Sequence, residues 1–384
     1  MTTMKTVMPS FRYNASAMRS TFERRIMRTH VAAATAMPSK HQEQLSRQQP
    51  RDAILPATSS SPPSPSNRLL DSSQNTSPQL LHLGKYEATL LMDCPSQQGV
   101  VAACASMLYA QGCNILETDQ YSCPYKGLFF QRIRFDYSDC YLGNTEVAIA
   151  GLEAAIESVA SRFHMKWSMR CGDKPKRMAI LVSKFDHCLY DILLRKKSKE
   201  LKCEIPLIIS NHETLRHVGE QFGIPFYHLP TESTKEDATT DQKMKAKLNH
   251  EAEIEKLFVE YDIDTVVLAR YMQVLSENFC KRHERHTINI HHSFLPAFEG
   301  GRPYHRAYDR GVKMIGATAH YITADLDAGP IIDQDVIRIS HRDSVEDMIQ
   351  KGRNLERSVL SRALSWHLQD KVLIHNNKTV VFGY

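Results

Sequence analysis

No uninterrupted apolar run of about 18 residues occurs in the 384-residue chain, so no membrane-spanning helix is expected. The nine cysteines, at positions 94, 104, 113, 123, 140, 171, 188, 203 and 280, are odd in number and never form a Cys-x-x-Cys pair. That pattern excludes a disulfide scaffold and a zinc ribbon, and it fits a reducing compartment. There is no His-Glu-x-x-His. After the apolar run Ile180–Val182 the chain continues from Ser183 to Asp191 without a glycine. Loops that cradle phosphates need glycines for the tight turn and for close backbone approach to the pyrophosphate, so NAD and ATP are not expected as cofactors. No RNA-binding motif or basic–aromatic stripe is present either, and no nucleic-acid partner is expected.

What is present divides into three regimes. The first 40 residues carry Lys5, Arg12, Arg19, Arg24, Arg25, Arg28 and Lys40 against one acid, Glu23, which is the composition of an organellar transit peptide. A basic tail without a targeting role is the alternative. A Ser/Pro/Gln-rich stretch follows, with Ser59–Ser66 reading Ser-Ser-Ser-Pro-Pro-Ser-Pro-Ser, too poor in apolar residues to offset the entropy of ordering it. Residues 1–84 therefore read as transit peptide and linker, with the mitochondrial matrix as expected location and plastids as a second destination. Much of the net charge of +5 resides in this leader, so it says little about partners.

Residues 85–170 give the order β-α-β-β-α-β. Strands are expected at Glu87–Met92, Asn114–Tyr121, Leu128–Phe135 and His164–Ser168, and helices at Val100–Gln111 and Glu146–Arg162. This is the ferredoxin-like split unit. The turn at Gly99 stands before a helix, where exposed amides could hold a carboxylate, or where the glycine only shapes the chain. Residues 171–384 alternate strand and helix. The runs Ala179–Val182, Pro206–Ile209 and Thr265–Ala269 are continuously apolar, as in parallel strands covered by helices on both faces. Further elements are expected as strands Ile205–Ser210, Pro225–His228 and Thr287–His291 and as helices Asp186–Arg195, Glu213–Phe222, Asp241–Tyr261 and Glu277–Arg282. Ligands in such α/β folds bind beyond the carboxyl ends of the strands.

Asn289 and His291 stand two apart at such a strand end and share a face. Asp327 follows in a loop of Asp-Ala-Gly-Pro composition that must fold over that end to complete a site. An amide donor, an imidazole and a carboxylate are the groups needed to drive water onto a carbonyl-like carbon. Asn289 would bind the developing oxyanion, His291 would move the proton, and Asp327 would orient the ring or the water.

The N-terminal unit resembles an ACT domain, through Cys94–Pro95, Gly99–Ala102, Gly112–Ile115 and Asp119–Gln120. In particular it is similar to the N-terminal domain of formyltetrahydrofolate deformylases, although Ser96 stands where that family usually has an acid. From Arg177 onward the chain resembles the catalytic domain of the same family, which has a Rossmann-like formyltransferase fold. The match is carried by Leu181–Lys184, Asp186–Cys188, Ile209–His212, Phe222–Pro225, Val267–Met272, Asn289–Ala297, Lys313–His320, Asp327–Ile332 and Ser340–Ser344. The resemblance covers about 300 of the 384 residues.

It implies hydrolysis of 10-formyltetrahydrofolate to tetrahydrofolate and formate, with Asn289, His291 and Asp327 as the catalytic set and no tightly bound cofactor. It further implies that Leu268, Arg270, Met272 and Leu275 line the folate site, with a packing-only role as the alternative for Met272 and Leu275. His292, Ser293, Thr318 and His320 are expected to support the catalytic residues. Gly300–Gly301 is expected to be a mobile turn leading into a helix. The ACT-like unit implies a homo-oligomer and an amino-acid effector such as glycine or methionine near Gly99 and Asn114, or dimerisation alone. Other readings are a glycinamide ribonucleotide-type formyltransferase, formylmethionyl-tRNA synthesis, a zinc hydrolase using His286, His291, His292, His305 and His320, and a non-enzymatic amino-acid sensor.

Overall fold

The computed structural model describes residues 86–383 apart from 142, 144–145, 173, 232–238 and 298–301. The expected leader and linker of residues 1–84 and the turn expected at Gly300–Gly301 lie outside the described residues. The first unit runs β1 (Glu87–Pro95), α1 (Val100–Ala110), β2 (Asn114–Cys123), β3 (Leu128–Asp136), α2 (Glu146–Phe163) and β4 (Lys166–Cys171). Its antiparallel sheet has the order β2-β3-β1-β4 expected of the split βαββαβ unit. The apolar face packs on the two helices through Leu90, Met92, Ile133 and Phe135 against Cys104, Leu108, Leu152 and Ile156. β2 is an edge strand and largely exposed. β4 begins later than expected because His164 turns the chain at φ 54°.

The second unit continues with β5 (Lys176–Val182), α3 (His187–Lys197), β6 (Cys203–Glu204), β7 (Ile208–Ser210), α4 (Arg216–Phe222), β8 (Phe226–His228), α5 (Thr240–Glu260), β9 (Thr265–Leu268), α6 (Glu277–His283) and β10 (Thr287–His291). It ends with α7 (Pro303–Arg310), β11 (Met314–Tyr321), β12 (Ile331–Arg338), α8 (Val345–Leu368), β13 (Val372–His375) and β14 (Lys378–Val381). The eight-stranded sheet has the order β12-β11-β10-β9-β5-β7-β8, with β6 also beside β5. Pairings from β10 to β8 are parallel, whereas β10–β11 and β11–β12 are antiparallel. The expected strand Ile205–Ser210 is shortened to Ile208–Ser210, since Pro206 has no N–H to give to a ladder. The expected helix at Glu213 starts as a 3-10 turn, with α4 proper from Arg216. Two cores sandwich the sheet. One joins Ile180, Val267, Ile288 and Ala319 to α3 and α8, and the other joins Leu181, Leu207, Leu268 and Ile209 to α5 and α6.

The two units are joined by polar contacts. Arg132 of β3, almost fully buried, donates to the carbonyls of Gln369 and Asp370 at the end of α8. Asp93 of β1 meets His375 of β13 at 2.9 Å. The same Asp370 pairs at 2.6 Å with Lys176, so β3, β5 and the α8 terminus are tied at one point. Among the described residues no helix is long and apolar enough to cross a membrane.

Candidate active site

The site forms where β10 ends. The antiparallel register sets Asn289 opposite His320 and His291 opposite Thr318. The His320 Nδ1 lies 2.9 Å from the Tyr321 carbonyl, which can only accept, so in the neutral ring Nε2 is an acceptor. The Asn289 side-chain nitrogen lies 3.2 Å from that Nε2 and donates to it. This fixes the amide and leaves its second N–H free to point at a ligand.

The chain then turns back after β11. Gly329 makes the return, since a Cβ there would meet the Tyr321 carbonyl oxygen at 1.7 Å. The Tyr321 amide donates to Pro330 O at 2.9 Å and closes the loop. The β13–β14 turn holds it from outside through Asn377 Nδ2 donating to Ala328 O at 2.8 Å. Asp327, at φ 57°, thereby sits over the strand end. Its Oδ2 is 3.2 Å from His291 Nδ1 and its Oδ1 is 3.7 Å from His320 Nε2. Burial works against the Asp327 charge, but the hydrogen bond from His291 is foremost among the interactions that outweigh it and hold the carboxyl well below the usual carboxylate range. An ionised carboxylate only accepts, so Nδ1 of His291 carries the proton and Nε2 carries the lone pair. That Nε2 is buried and has no hydrogen-bond partner among the described residues.

Asn289, His291 and Asp327 line one cavity of about 550 Å³, within the range of pockets that hold a drug-sized ligand. Leu268, Arg270, Met272 and Leu275 line it as well. Leu268 is buried in the core and backs the cavity, Leu275 packs partly against the same core, and Met272 is half-exposed at the wall. Met272, Val274 and Leu326 together leave a mostly apolar, accessible strip around the mouth, the kind of surface that an aromatic ligand covers.

The four expected supports divide by role. His320 and His292 face the cavity, whereas Thr318 and Ser293 brace the chain behind it. The Thr318 hydroxyl donates to Ser293 O at 2.8 Å and accepts from Leu295 N at 3.1 Å, which fixes the turn after β10. The His292 ring lies 5.1 Å from that of His291, and burial followed by the charge of Arg270 pushes its pKa down to about 3, so it is neutral. Gly99 caps α1 at φ 87° with open space where a side chain would be, and Asn114 opens edge strand β2. Neither lines this cavity.

Residues not singled out from sequence also line the cavity. Glu356 of α8 is buried, accepts from Tyr304 Oη at 2.8 Å, and lies 2.8 Å from His187 Nε2 and 3.5 Å from Arg270 Nε. Burial opposes its charge, and His187, Arg270 and Tyr304 outweigh that and lower its pKa. Gly352, one turn before Glu356, makes room for Tyr304, whose hydroxyl would stand 2.0 Å from a Cβ there. A glycine and a glutamate four apart on the buried face of an amphipathic helix were the available signal.

Among the described residues the group whose ligand atoms converge as for a metal is His187, Cys188 and Glu356. It is a poor donor set. Burial, followed by the Glu356 charge, raises the Cys188 thiol well above its ordinary value, Glu356 is engaged by Tyr304 and His187, and the Arg270 cation stands beside it. Of the five histidines considered for zinc, none belongs to that group.

A mostly parallel sheet with an Asn-His-Asp set beyond one strand end places the second unit among formyltransferase-fold domains, and residues 176–364 match the Formyl transferase family. Over 296 residues the chain is 49% identical to the formyltetrahydrofolate deformylase of Synechocystis sp., covering 77% of this chain and 98% of that one. It is 47% identical over 299 residues to the Bacillus subtilis formyltetrahydrofolate deformylase, covering 77% and 93%. A crystal structure of a formyltetrahydrofolate deformylase from Pseudomonas syringae pv. tomato superposes with a TM-score of 0.70 at 41% identity, covering 79% of this chain and 97% of that one. The chain belongs to the formyltetrahydrofolate deformylase family.

Proposed function

We propose that this protein hydrolyses 10-formyltetrahydrofolate to tetrahydrofolate and formate, and that Asn289, His291 and Asp327 carry the chemistry. The observation that carries the reading is the buried, unpartnered Nε2 of His291 beside the Asn289 amide, with Nδ1 held by Asp327. Water positioned on Nε2 loses a proton as its oxygen adds to the formyl carbon. The Asn289 N–H stabilises the resulting oxyanion. The imidazolium, stabilised by Asp327, returns the proton to the departing folate nitrogen, and the C–N bond breaks. The apolar strip at Met272, Val274 and Leu326 is suited to the flat pterin. Purified protein should release formate and tetrahydrofolate in equal amounts without an added acceptor. Turnover only on addition of glycinamide ribonucleotide would replace this reading by a transferase.

The leader composition supports targeting to mitochondria, tested by fusing residues 1–60 to a fluorescent reporter; a purely cytosolic signal would end that proposal. The ACT-like unit supports a homo-oligomer with an amino-acid effector near Gly99 and Asn114, because β2 leaves a largely exposed edge with Ile115 and Leu116 uncovered. A monomer on sizing of the full chain would refute the first part, and rates and binding unresponsive to glycine and methionine the second.

A further inference from the structure

The catalytic cavity contains a cation that the hydrolytic steps above do not use. Arg270 follows directly on β9 and Ala269, at a φ of 63°, in the left-handed region that non-glycine residues seldom occupy. It is about nine-tenths buried, yet Nε and Nη1 have no hydrogen-bond partner among the described residues. Glu356 forms an ion pair with Arg270 Nε at 3.5 Å, beyond good hydrogen-bond length, and its oxygens already take hydrogen bonds from Tyr304 and His187. Leaving charged donors buried without hydrogen-bond partners is costly, and a fold keeps them so when a ligand completes them. Phe185 holds the guanidinium in place, its ring centroid 5.0 Å from Arg270 Cζ and 5.7 Å from Arg353 Cζ. This wall carries two guanidinium groups against the single carboxylate of Glu356, and it lines the same cavity as Asn289 and His291.

Hydrolysis creates one new small anion in that cavity. Water adds its oxygen to the formyl carbon, the C–N bond breaks with a proton going to nitrogen, and the acid formed loses its own proton, leaving formate. We propose that Arg270, with Arg353 behind it, is a receiving subsite for the formate product, binding its carboxylate through charge-assisted hydrogen bonds to the free guanidinium nitrogens. A planar one-carbon carboxylate suits a buried guanidinium whose approach is bounded by Phe185 and Glu356. The proposal rests on the hydrolytic reading for the identity of the anion, and on the Arg270 donors that lack hydrogen-bond partners for the existence of the site.

The test is calorimetric titration of the full-length protein with sodium formate, with acetate and chloride at matched ionic strength as comparisons, together with formate inhibition of turnover. Saturable binding of formate in preference to acetate is expected. Arg270→Gly, which relieves the left-handed backbone, should weaken formate binding by at least about tenfold, with Arg270→Lys in between and product inhibition falling in parallel. Arg270→Gln supplies an uncharged variant of similar size if the glycine variant does not fold. No saturable formate binding in the wild type, or equal binding in folded Arg270 variants, would overturn the subsite. Arg270-dependent formate binding by a protein that fails to hydrolyse 10-formyltetrahydrofolate would instead overturn the hydrolytic reading and leave the anion site standing.

Discussion

Replacing Asp327 by asparagine removes a charge while keeping the size and position of the side chain. Its consequence can be worked from the contact at 3.2 Å between Asp327 Oδ2 and His291 Nδ1. In the proposed mechanism His291 takes the proton from water, and a unit positive charge then forms next to the carboxylate. At an effective dielectric of about 20, two unit charges roughly 3 to 4 Å apart attract by about 4 to 5 kcal/mol. At about 1.4 kcal/mol per decade, losing that stabilisation slows turnover by about a thousandfold or somewhat more. The tautomer argument acts in the same direction, because an asparagine that presents its NH2 would put the ring proton on Nε2 and abolish the base. Asp327 lies on the β11–β12 loop, so the cavity wall of Met272 and Leu275 is untouched and KM should change only a few-fold. Formate release and tetrahydrofolate absorbance, measured across substrate concentrations, give both parameters. A folded Asp327→Asn enzyme slowed by less than about tenfold would refute the reasoning from charge and tautomer.

Removing the proposed oxyanion donor with Asn289→Ala should lower kcat by about 10²- to 10³-fold with a modest change in KM, read in the same assay. The Ser183 hydroxyl donates to Asn211 Oδ1 at 2.7 Å and accepts from Met272 N at 3.0 Å. Ser183→Ala should therefore cost about 1 to 3 kcal/mol in urea unfolding and raise KM by loosening the Met272 wall. Burial, followed by neighbouring Arg270 or Lys176, depresses the pKa of His292 to about 3 and that of His367 well below its ordinary value. Between those folded-state values and an unfolded value of about 6.5, the unfolded chain binds the extra protons. Stability is thus fully present above about pH 6.5 and falls as pH drops, by up to about 1.4 kcal/mol per pH unit for each histidine. Urea midpoints from pH 8 to 5 should decline below 6.5, and a flat profile would contradict the buried neutral rings.

The parts of the site set by local rules were legible in the sequence. Two-residue periodicity put Asn289 and His291 on one face, and the Asp-Ala-Gly-Pro composition marked the loop that Gly329 folds back over the strand end. The parallel half of the sheet was readable from unbroken apolar runs, which strands buried on both faces require. The antiparallel extension by β11 and β12 was not anticipated, although it supplies His320 opposite Asn289. Glu356 was missed because its partners His187, Arg270 and Tyr304 come from three other places in the chain, and only tertiary packing brings them together. Arg270 was named from the sequence as lining the site, but its left-handed backbone was not legible, since nothing local distinguishes an arginine held at positive φ from one on a solvated surface.

The central claim is that water, positioned by His291 and opposite the Asn289 amide, is the acceptor of the formyl group. It is tested most directly by a single turnover of 10-formyltetrahydrofolate in water enriched in oxygen-18, with the formate analysed by mass. The account expects formate bearing one oxygen from solvent, formed without any added amine and lost in His291→Ala. Formate without solvent oxygen, or no formate until an amine acceptor is supplied, would contradict it.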